Sequence, residues 1–451
     1  MQTQPLQTIA TAAHALATGQ TTARALVEGC LAAIADPAGE GVRAFRVVYE
    51  QQARAAADAM DALRRVNRHP GPYAGVPFSL KDLFDVAGEV TVAGSAVLAD
   101  APPAAVTAPV VQRMMDAGFV AVGRTNMSEF AFSGIGANPH YGTPAAPWDR
   151  AQRHVPGGSS SGAAVSVADG MALAALGTDT GGSCRIPAAL CGIVGYKPTT
   201  RAVPRAGAFP LSSTLDSIGP LAASVACCAT AHAVLAGETP VALVPMALRG
   251  LRIAVPGNLV MDGLDPAVAE AFGRILTRLS TQGARVTHLP LPQFDQIVAA
   301  NVGGGFSPPE AYAVHQAMLA KDGDRYDPRV RQRIERGAGM SAAAYIALLA
   351  ERARIITAFD AATAPFDAVA MPTTPILPPR IDSLADDAEF FRANGLMLRN
   401  TSLGNFLDRC SISVPAHRLG EAPVGFMLMA APGQDARLLA IAAAVEGVGR
   451  G

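Results

Sequence analysis

Between residues 7 and 35 the apolar positions return every three or four residues (Ile9, Ala13, Leu16, then Leu26, Cys30, Leu31, Ile34). That spacing lines one face of a helix, and the interruption near Gly19 and Thr21 predicts two helical pieces. Residues 50–66, rich in Ala and Arg, continue as helix. The stretch GPYAGVPFSLKDLFDV loses this period and reads as a loop entering a short buried strand. An amphipathic helix over 105–118 leads into the strand FVAVGRT. Residues 130–160 carry many Gly, Pro, Ser and Asn and few charges, which predicts a long ordered loop, and a loop of that length in a compact domain is usually functional. Residues 161–176 are small and apolar and are expected to form one tightly packed helix. Further on come the strand GLRIAVPG (250–257), a helix over 266–282 and the strand ARVTHLPLP. A helix over 341–364, the buried strand FDAVAMPTTP and a helix over 385–408 follow. Two closing strands, SISVPA and PVGFMLMAA, and a last helix over 434–447 complete the pattern. Strands alternating with helices predict an α/β architecture. No linker, repeat or low-complexity segment interrupts it, so residues 1–451 are expected to be one large domain.

Composition narrows the function. Half of the residues are apolar, 16% are charged and the net charge is −1. That balance is globular and offers no electrostatic footprint for nucleic acid or an acidic membrane. No run of 18 or so apolar residues suggests a membrane span. The start MQTQPLQTIATAAHALATGQ lacks the basic and apolar regions of a secretory signal. Cys30, Cys184, Cys191, Cys227, Cys228 and Cys410 form no C-x-x-C pair and read as buried free thiols of a cytoplasmic protein. The eight histidines form no H-E-x-x-H or comparable ligand cluster, so no metal or other cofactor is expected.

Of 36 basic residues only Lys81, Lys197 and Lys321 are lysines. A chain that uses Arg almost everywhere keeps Lys where Arg cannot serve, and only a buried lysine can lose its proton at usable pH. Lys321 lies in the polar run KDGDRYD and reads as a surface residue, whereas Lys81 lies in apolar surroundings, with Asp82 the one obvious carboxylate nearby.

The most informative segment is VPGGSSSGAAVSVADGMALAALGTDTGGSCRIPAALCG, with two Gly-Gly-Ser turns ending at Ser159 and Ser183. Glycine lets the backbone turn tightly, and the N–H groups of Thr180, Gly181, Gly182 and Ser183 are positioned to form a nest for an oxyanion. A helix starting at RIPAAL would add its positive end. The bland alternative is a glycine-rich turn with a capping serine. GSSSG at 158–162 also matches a G-x-S-x-G elbow with Ser160 as nucleophile, but the polar lead-in AQRHVPG is not the strand that motif needs. A P-loop lacks its terminal G-K-[ST], a Ser-x-x-Lys pattern fails because Phe78 precedes Lys81 by three, and no histidine has a motif around it.

GGSSSGAAVSVADGMALAALGTDTGGSCRIPAALCGIVGYKPT resembles the amidase signature segment, GVPFSLKDLFDVAG resembles that family's lysine motif, and VAVGRTNMSEFAF its connecting strand and helix. The resemblance is sharp from about residue 70 to 220 and looser through the N-terminal helices (1–69) and the part from 221 to 451 that would complete sheet and pocket. It implies a mixed central sheet flanked by helices and a Ser–cis-Ser–Lys triad: Ser183 as nucleophile, Ser159, after a cis peptide bond, as proton shuttle, Lys81 as base and Ser160 as support. One departure is Ser161, where the family usually has glycine; Cys184 falls at a variable position.

These parts predict a serine hydrolase of small neutral amides, including aryl amides and extending to carbamates (urethanes). The alternatives are a specialised hydrolase of charged amides of the carboxybiuret, allophanate or malonamate type, which would need an added arginine such as Arg205 at the pocket, and the glutaminase subunit of a tRNA-dependent amidotransferase. The loop 130–147, free of charged residues, and the mostly apolar stretch 390–406 are expected to wall the cleft, with Met127, Gly134, Ile135 and Gly136 touching substrate. The chain is expected to act as a monomer or homodimer on a small-molecule substrate.

Overall fold

The computed structural model describes residues 6–450. Residues 1–5, part of the start read as lacking a signal, and residue 451 lie outside the described residues. Eleven strands pair into one mixed sheet: β1 (Phe45–Val48), β2 (Pro77–Lys81), β3 (Val120–Thr125), β4 (Ala174–Asp179), β5 (Val194–Lys197), β6 (Ser217–Ala222), β7 (Arg252–Pro256), β8 (Arg285–Leu289), β9 (Ala368–Pro372), β10 (Cys410–Pro415) and β11 (Gly425–Ala430). Their order is β1-β3-β2-β4-β6-β5-β10-β11-β9-β7-β8. Strand β2 runs parallel to both β3 and β4, and β7 parallel to β8 and β9; the other pairs are antiparallel. Parallel neighbours need crossovers. The helices Pro109–Asp116, Ser161–Ala168 and Pro266–Thr281 supply three of them. Helices flank the sheet in a single α/β domain, and the largest buried cluster draws on residues from Ile9 to Val448.

The N-terminal helix is split as expected, into Ile9–Ala17 and Ala23–Ala35, with Gly19 at φ +72° between them. The expected helix over 161–176 is corrected. It stops at Ala168, Gly170 turns at φ +72°, and β4 begins at Ala174. Small apolar residues carry no contrast between a buried helix and a central strand covered on both faces, and every residue of β4 is buried. The helix expected over 385–408 is two, Asp387–Arg399 and Thr401–Phe406. At their junction Asn400 Nδ2 donates to the carbonyls of Val260 and Pro372, which ties it to the sheet. All six cysteines are free and buried, and no helix among the described residues is long and apolar enough to cross a membrane.

For the site, the β2–β4 pairing matters most. Because these strands are parallel, with Leu80 opposite Leu176, both deliver their carboxyl ends to the same edge of the sheet. Lys81 ends one strand, and Thr178 and Asp179 end the other.

Candidate active site

Lys81 is completely buried, and its ammonium donates to Ser159 Oγ at 2.7 Å and Thr178 Oγ1 at 2.8 Å. Among the described residues no carboxylate pairs with it. Asp82, next in sequence, is held on the other face of the strand by Arg124 Nε at 2.8 Å and Arg46 Nε at 2.7 Å. Burial favours the uncharged amine and pulls the Lys81 pKa down to about 7, against a weaker upward pull from Cys184, Asp216 and Asp179. Thr178 escapes the sequence reading; its place just before the second Gly-Gly-Ser turn is the available signal. Lys197 is also buried but donates to the Pro198 carbonyl, whereas Lys321 is exposed beside Asp322.

The Gly158–Ser159 peptide is cis. Backbone of the 128–136 segment holds this turn: Gly158 N–H donates to Gly134 O at 2.8 Å, and Ser128 N–H donates to Ser159 O at 3.1 Å. A Cβ on Gly136 would collide with Gly157 O, so only glycine permits the approach. Ser160 N–H donates to Ser183 O at 3.3 Å, and Ser160 Oγ donates to the Thr178 carbonyl at 3.4 Å. Lys81, Ser159, Ser160 and Ser183 are thereby gathered at one place. The Ser159 and Ser183 turns are joined through main chain, and no hydroxyl-to-hydroxyl bond links Ser159 to Ser183 among the described residues.

The Ser183 turn is fixed from three sides. Asp179 accepts from Cys184 N–H at 3.1 Å, from Arg185 Nε at 3.0 Å and Nη2 at 2.8 Å, and from Asn405 Nδ2 at 2.9 Å. Burial alone would raise its pKa, but the Arg185 charge and these hydrogen bonds outweigh it and hold the carboxyl at about 2. Thr180 Oγ1 donates to Asp216, whose carboxyl also accepts from the N–H groups of Leu211 and Ser212. Thr401 Oγ1 donates to Gly181 O at 2.6 Å, and a Cβ on Gly182, at φ +133°, would collide with that same hydroxyl oxygen. Among the described residues no protein group accepts from the N–H groups of Thr180, Gly181, Gly182 or Ser183. They remain available to an anion.

Ser183, Thr180 and Gly181 line a cavity of about 310 Å³. Its walls are chiefly apolar, with Phe132, Leu211, Leu215, Phe306, Leu398 and Phe406. Both expected wall segments therefore contribute, through 131–133 and 398–406. The four residues expected to touch substrate do not line this cavity. Met127 and Ile135 are fully buried, Gly134 packs against Leu398 and Ile186 and accepts from Gly158 N–H, and Gly136 lies against Gly157. Two cations absent from the sequence reading, Arg333 and Arg336, line the cavity instead. Arg205, the arginine considered from sequence, is exposed and donates to the Ser213 and Asp216 carbonyls beside a neighbouring cavity. Among the described residues no group of three or more His, Cys, Asp or Glu is placed to hold a metal.

A family model described as Amidase matches residues 25–439. The chain is 37% identical to a 2-amino-5-chloromuconic acid deaminase of Comamonas testosteroni, over 91% of this chain and 89% of that protein. It is 34% identical to a glutamyl-tRNA(Gln) amidotransferase subunit of Acidobacterium capsulatum, over 98% of each. Among solved structures, a bacterial aryl acylamidase of the amidase signature family superposes with a TM-score of 0.85 at 25% identity, over 98% of this chain and 96% of the other.

Proposed function

The chain belongs to the amidase signature family and hydrolyses amide C–N bonds; from that premise we propose that Ser183 is the nucleophile, Ser159 the proton shuttle and Lys81 the base. The observation that carries this reading is a fully buried lysine whose ammonium meets two hydroxyls, with its pKa near neutrality. A serine hydroxyl is a weak nucleophile without a base. Neutral Lys81 takes the Ser159 proton as Ser159 takes that of Ser183, and Ser183 Oγ attacks the carbonyl carbon. The oxyanion meets the unpaired N–H groups of the 180–183 turn. Ser159 returns a proton to the departing amine, and water then repeats the path to release the acid. Hydrogen bonds of this kind often tighten only in the substrate complex, so a direct Ser159–Ser183 bond is not required beforehand. General acid–base help is worth typically 10²–10⁴-fold, and one oxyanion donor about 10²–10³-fold.

Phenyl and leucyl walls suit an apolar or aromatic group on the amide, so aryl amides are the proposed substrates, with carbamates cleaved more slowly at the same carbonyl site. Ser183→Ala should abolish turnover with little change in Tm, and a fluorophosphonate should label Ser183; peptide mapping of the label to Ser160 would overturn the assignment. Activity is expected to survive EDTA. A second reading, a glutamine-hydrolysing subunit of an amidotransferase, is favoured by the relatives of that name. Co-purification with partner subunits and a preference for glutamine over anilides would establish it. The relative named for 2-amino-5-chloromuconic acid acts on an acid, which keeps charged amides in view as a third class.

A further inference from the structure

Side chains alternate between the two faces of a sheet, so Thr178 and Asp179 at the end of β4 point to opposite sides. Asp179 goes to the Arg185 pair. Thr178 goes to the other face, and with it Thr180, Asp216 and Ile218; in the β4–β6 ladder Thr178 lies opposite Ile218, and Asp179 opposite Ser217. Thr178, Thr180, Asp216 and Ile218 line a second cavity, of about 220 Å³. Its other walls are mainly apolar, with Leu83, Phe209 and Leu211. Ala131, Thr180 and Leu211 also line the Ser183 cavity, so the two cavities share a wall.

Lys81 lines neither cavity. Among the described residues its amine meets Ser159 Oγ on one side and Thr178 Oγ1 on the other. Thr178 accepts from Lys81, and its own O–H meets no acceptor among the described residues. Asp216 is the one carboxylate that lines the second cavity. It is half-buried, and it accepts from Thr180 Oγ1 and from the N–H groups of Leu211 and Ser212. The charged groups around it are Arg205 from its own loop, Lys81 behind Thr178, and Glu310, which accepts from the Ser212 hydroxyl. Burial lifts the Asp216 carboxyl above the usual aspartate range, against the pull of its hydrogen bonds and of Arg205.

Each turnover leaves a proton to dispose of, because a carboxylic acid is ionised at neutral pH. As the acid product ionises, its O–H breaks, the proton passes through Ser159, and an N–H forms on Lys81. The carboxylate still fills the Ser183 cavity at that moment, and the next acylation needs Lys81 neutral again. We infer that Thr178 and Asp216 form the port through which Lys81 sheds this proton, by way of water in the second cavity and away from the substrate. Lys81 gives one N–H proton to Thr178 Oγ1 as the Thr178 O–H proton passes to a water and from it to the Asp216 carboxylate. Asp216 then loses it to solvent at the mouth of the cavity, beside the exposed Arg205 and Ser213. A cavity of this size, with hydroxyl and carboxylate partners, has room for several waters. The inference rests on the proposed base role of Lys81 and adds what resets that base between turnovers.

The test follows both products of an aryl amide from the first turnover onward, in dilute and in concentrated imidazole. Asp216→Asn keeps an oxygen for the Leu211 and Ser212 N–H groups but takes no proton. Equilibrated above pH 7, with Lys81 neutral, this variant should complete its first turnover at the wild-type rate. Later turnovers in dilute buffer should slow about tenfold or more in kcat, with KM little changed. Concentrated imidazole, a soluble proton acceptor, should restore the later turnovers and leave the first as it was, whereas the wild-type enzyme should be indifferent to the buffer. A second pair guards against a misfolded Asp216→Asn: Thr178→Val should show the same gap between first and later turnovers, and Thr178→Ser, which keeps the hydroxyl, should close it. Variants that turn over like wild type in dilute imidazole, or that lose first and later turnovers alike with no rescue, overturn the port while leaving the hydrolase reading intact. Failure of a fluorophosphonate to label Ser183 in the wild-type enzyme overturns the hydrolase reading, and the port with it.

Discussion

Two buried ionisable centres flank the Ser183 turn, and they are built in opposite ways. Asp179 and Arg185 are both fully buried, yet they face each other, and Asn405, Thr401 O and Cys184 N–H complete their hydrogen bonding. Their charges are meant to stay. Lys81 is equally buried but, among the described residues, is offered only hydroxyl oxygens. Its charge is held loosely. The pair shows that burial alone does not decide what an ionisable group does: the partner set does. A satisfied ion pair fixes geometry, and an unpaired amine is free to exchange a proton.

Variants at Lys81 test that contrast most strongly. Lys81→Ala and Lys81→Arg should both lose about 10³-fold or more in kcat/KM, since arginine keeps its proton. Meanwhile Lys81→Met should hold or raise Tm at pH 7. The sign follows from linkage: with the folded pKa near 7, the unfolded chain binds the proton more tightly, so the penalty is fully present below about pH 7 and lifts as pH rises toward the ordinary lysine value. A Lys81→Arg enzyme of near-normal activity would end the base role.

Arg185→Met should do the reverse, leaving Asp179 buried and unpaired. A loss of about 3–5 kcal/mol in denaturant-derived stability is expected. A stability within about 1 kcal/mol of wild type would mean that the pair does not hold the turn. Next in size is Gly182→Ala, whose methyl collides with Thr401 Oγ1. A loss of about 1–3 kcal/mol, split between stability and kcat, is expected. Adding Thr401→Ala should restore part of it by making room, and a double variant no better than the single would place the strain elsewhere. The smallest effect is the pH profile: kcat/KM should rise about tenfold per unit below pH 7 and level off above it. A profile flat from pH 5 to 8 would contradict the near-neutral amine.

How far the sequence carried this picture depends on where each signal resides. Lys81, Ser159 and Ser183 sit in short segments whose glycines and apolar flanks are themselves the signal, and the structure gathers them at one edge of the sheet. Helix Glu50–Arg65, with its clear periodicity, is legible for the same local reason. Strand β4 is hidden because alanines and leucines have no face to display. Strands β5 and β6, VGYK and SIGPLA, are short and broken by Gly or Pro. The substrate-facing residues are misplaced because Gly134 and Gly136 mark a close approach between two backbones, and glycine there looks the same as glycine beside a ligand. Arg333 and Arg336 have no local signature; only packing of the helix Pro328–Glu335 and the turn after it against Phe132 and Phe391 brings them to the cavity.

The grip of Thr401 on Gly181 spans 220 positions of chain, and that of Asn405 on Asp179 spans 226. During synthesis on a ribosome the lysine and both serines emerge well before the segment that sets the Ser183 turn. A nascent or prematurely terminated chain ending before residue 400 therefore contains the whole reactive set in an unbraced state. Completion of the polypeptide becomes the step that arms it, so truncated products are expected to be inert toward the amides of the cell in which they are made.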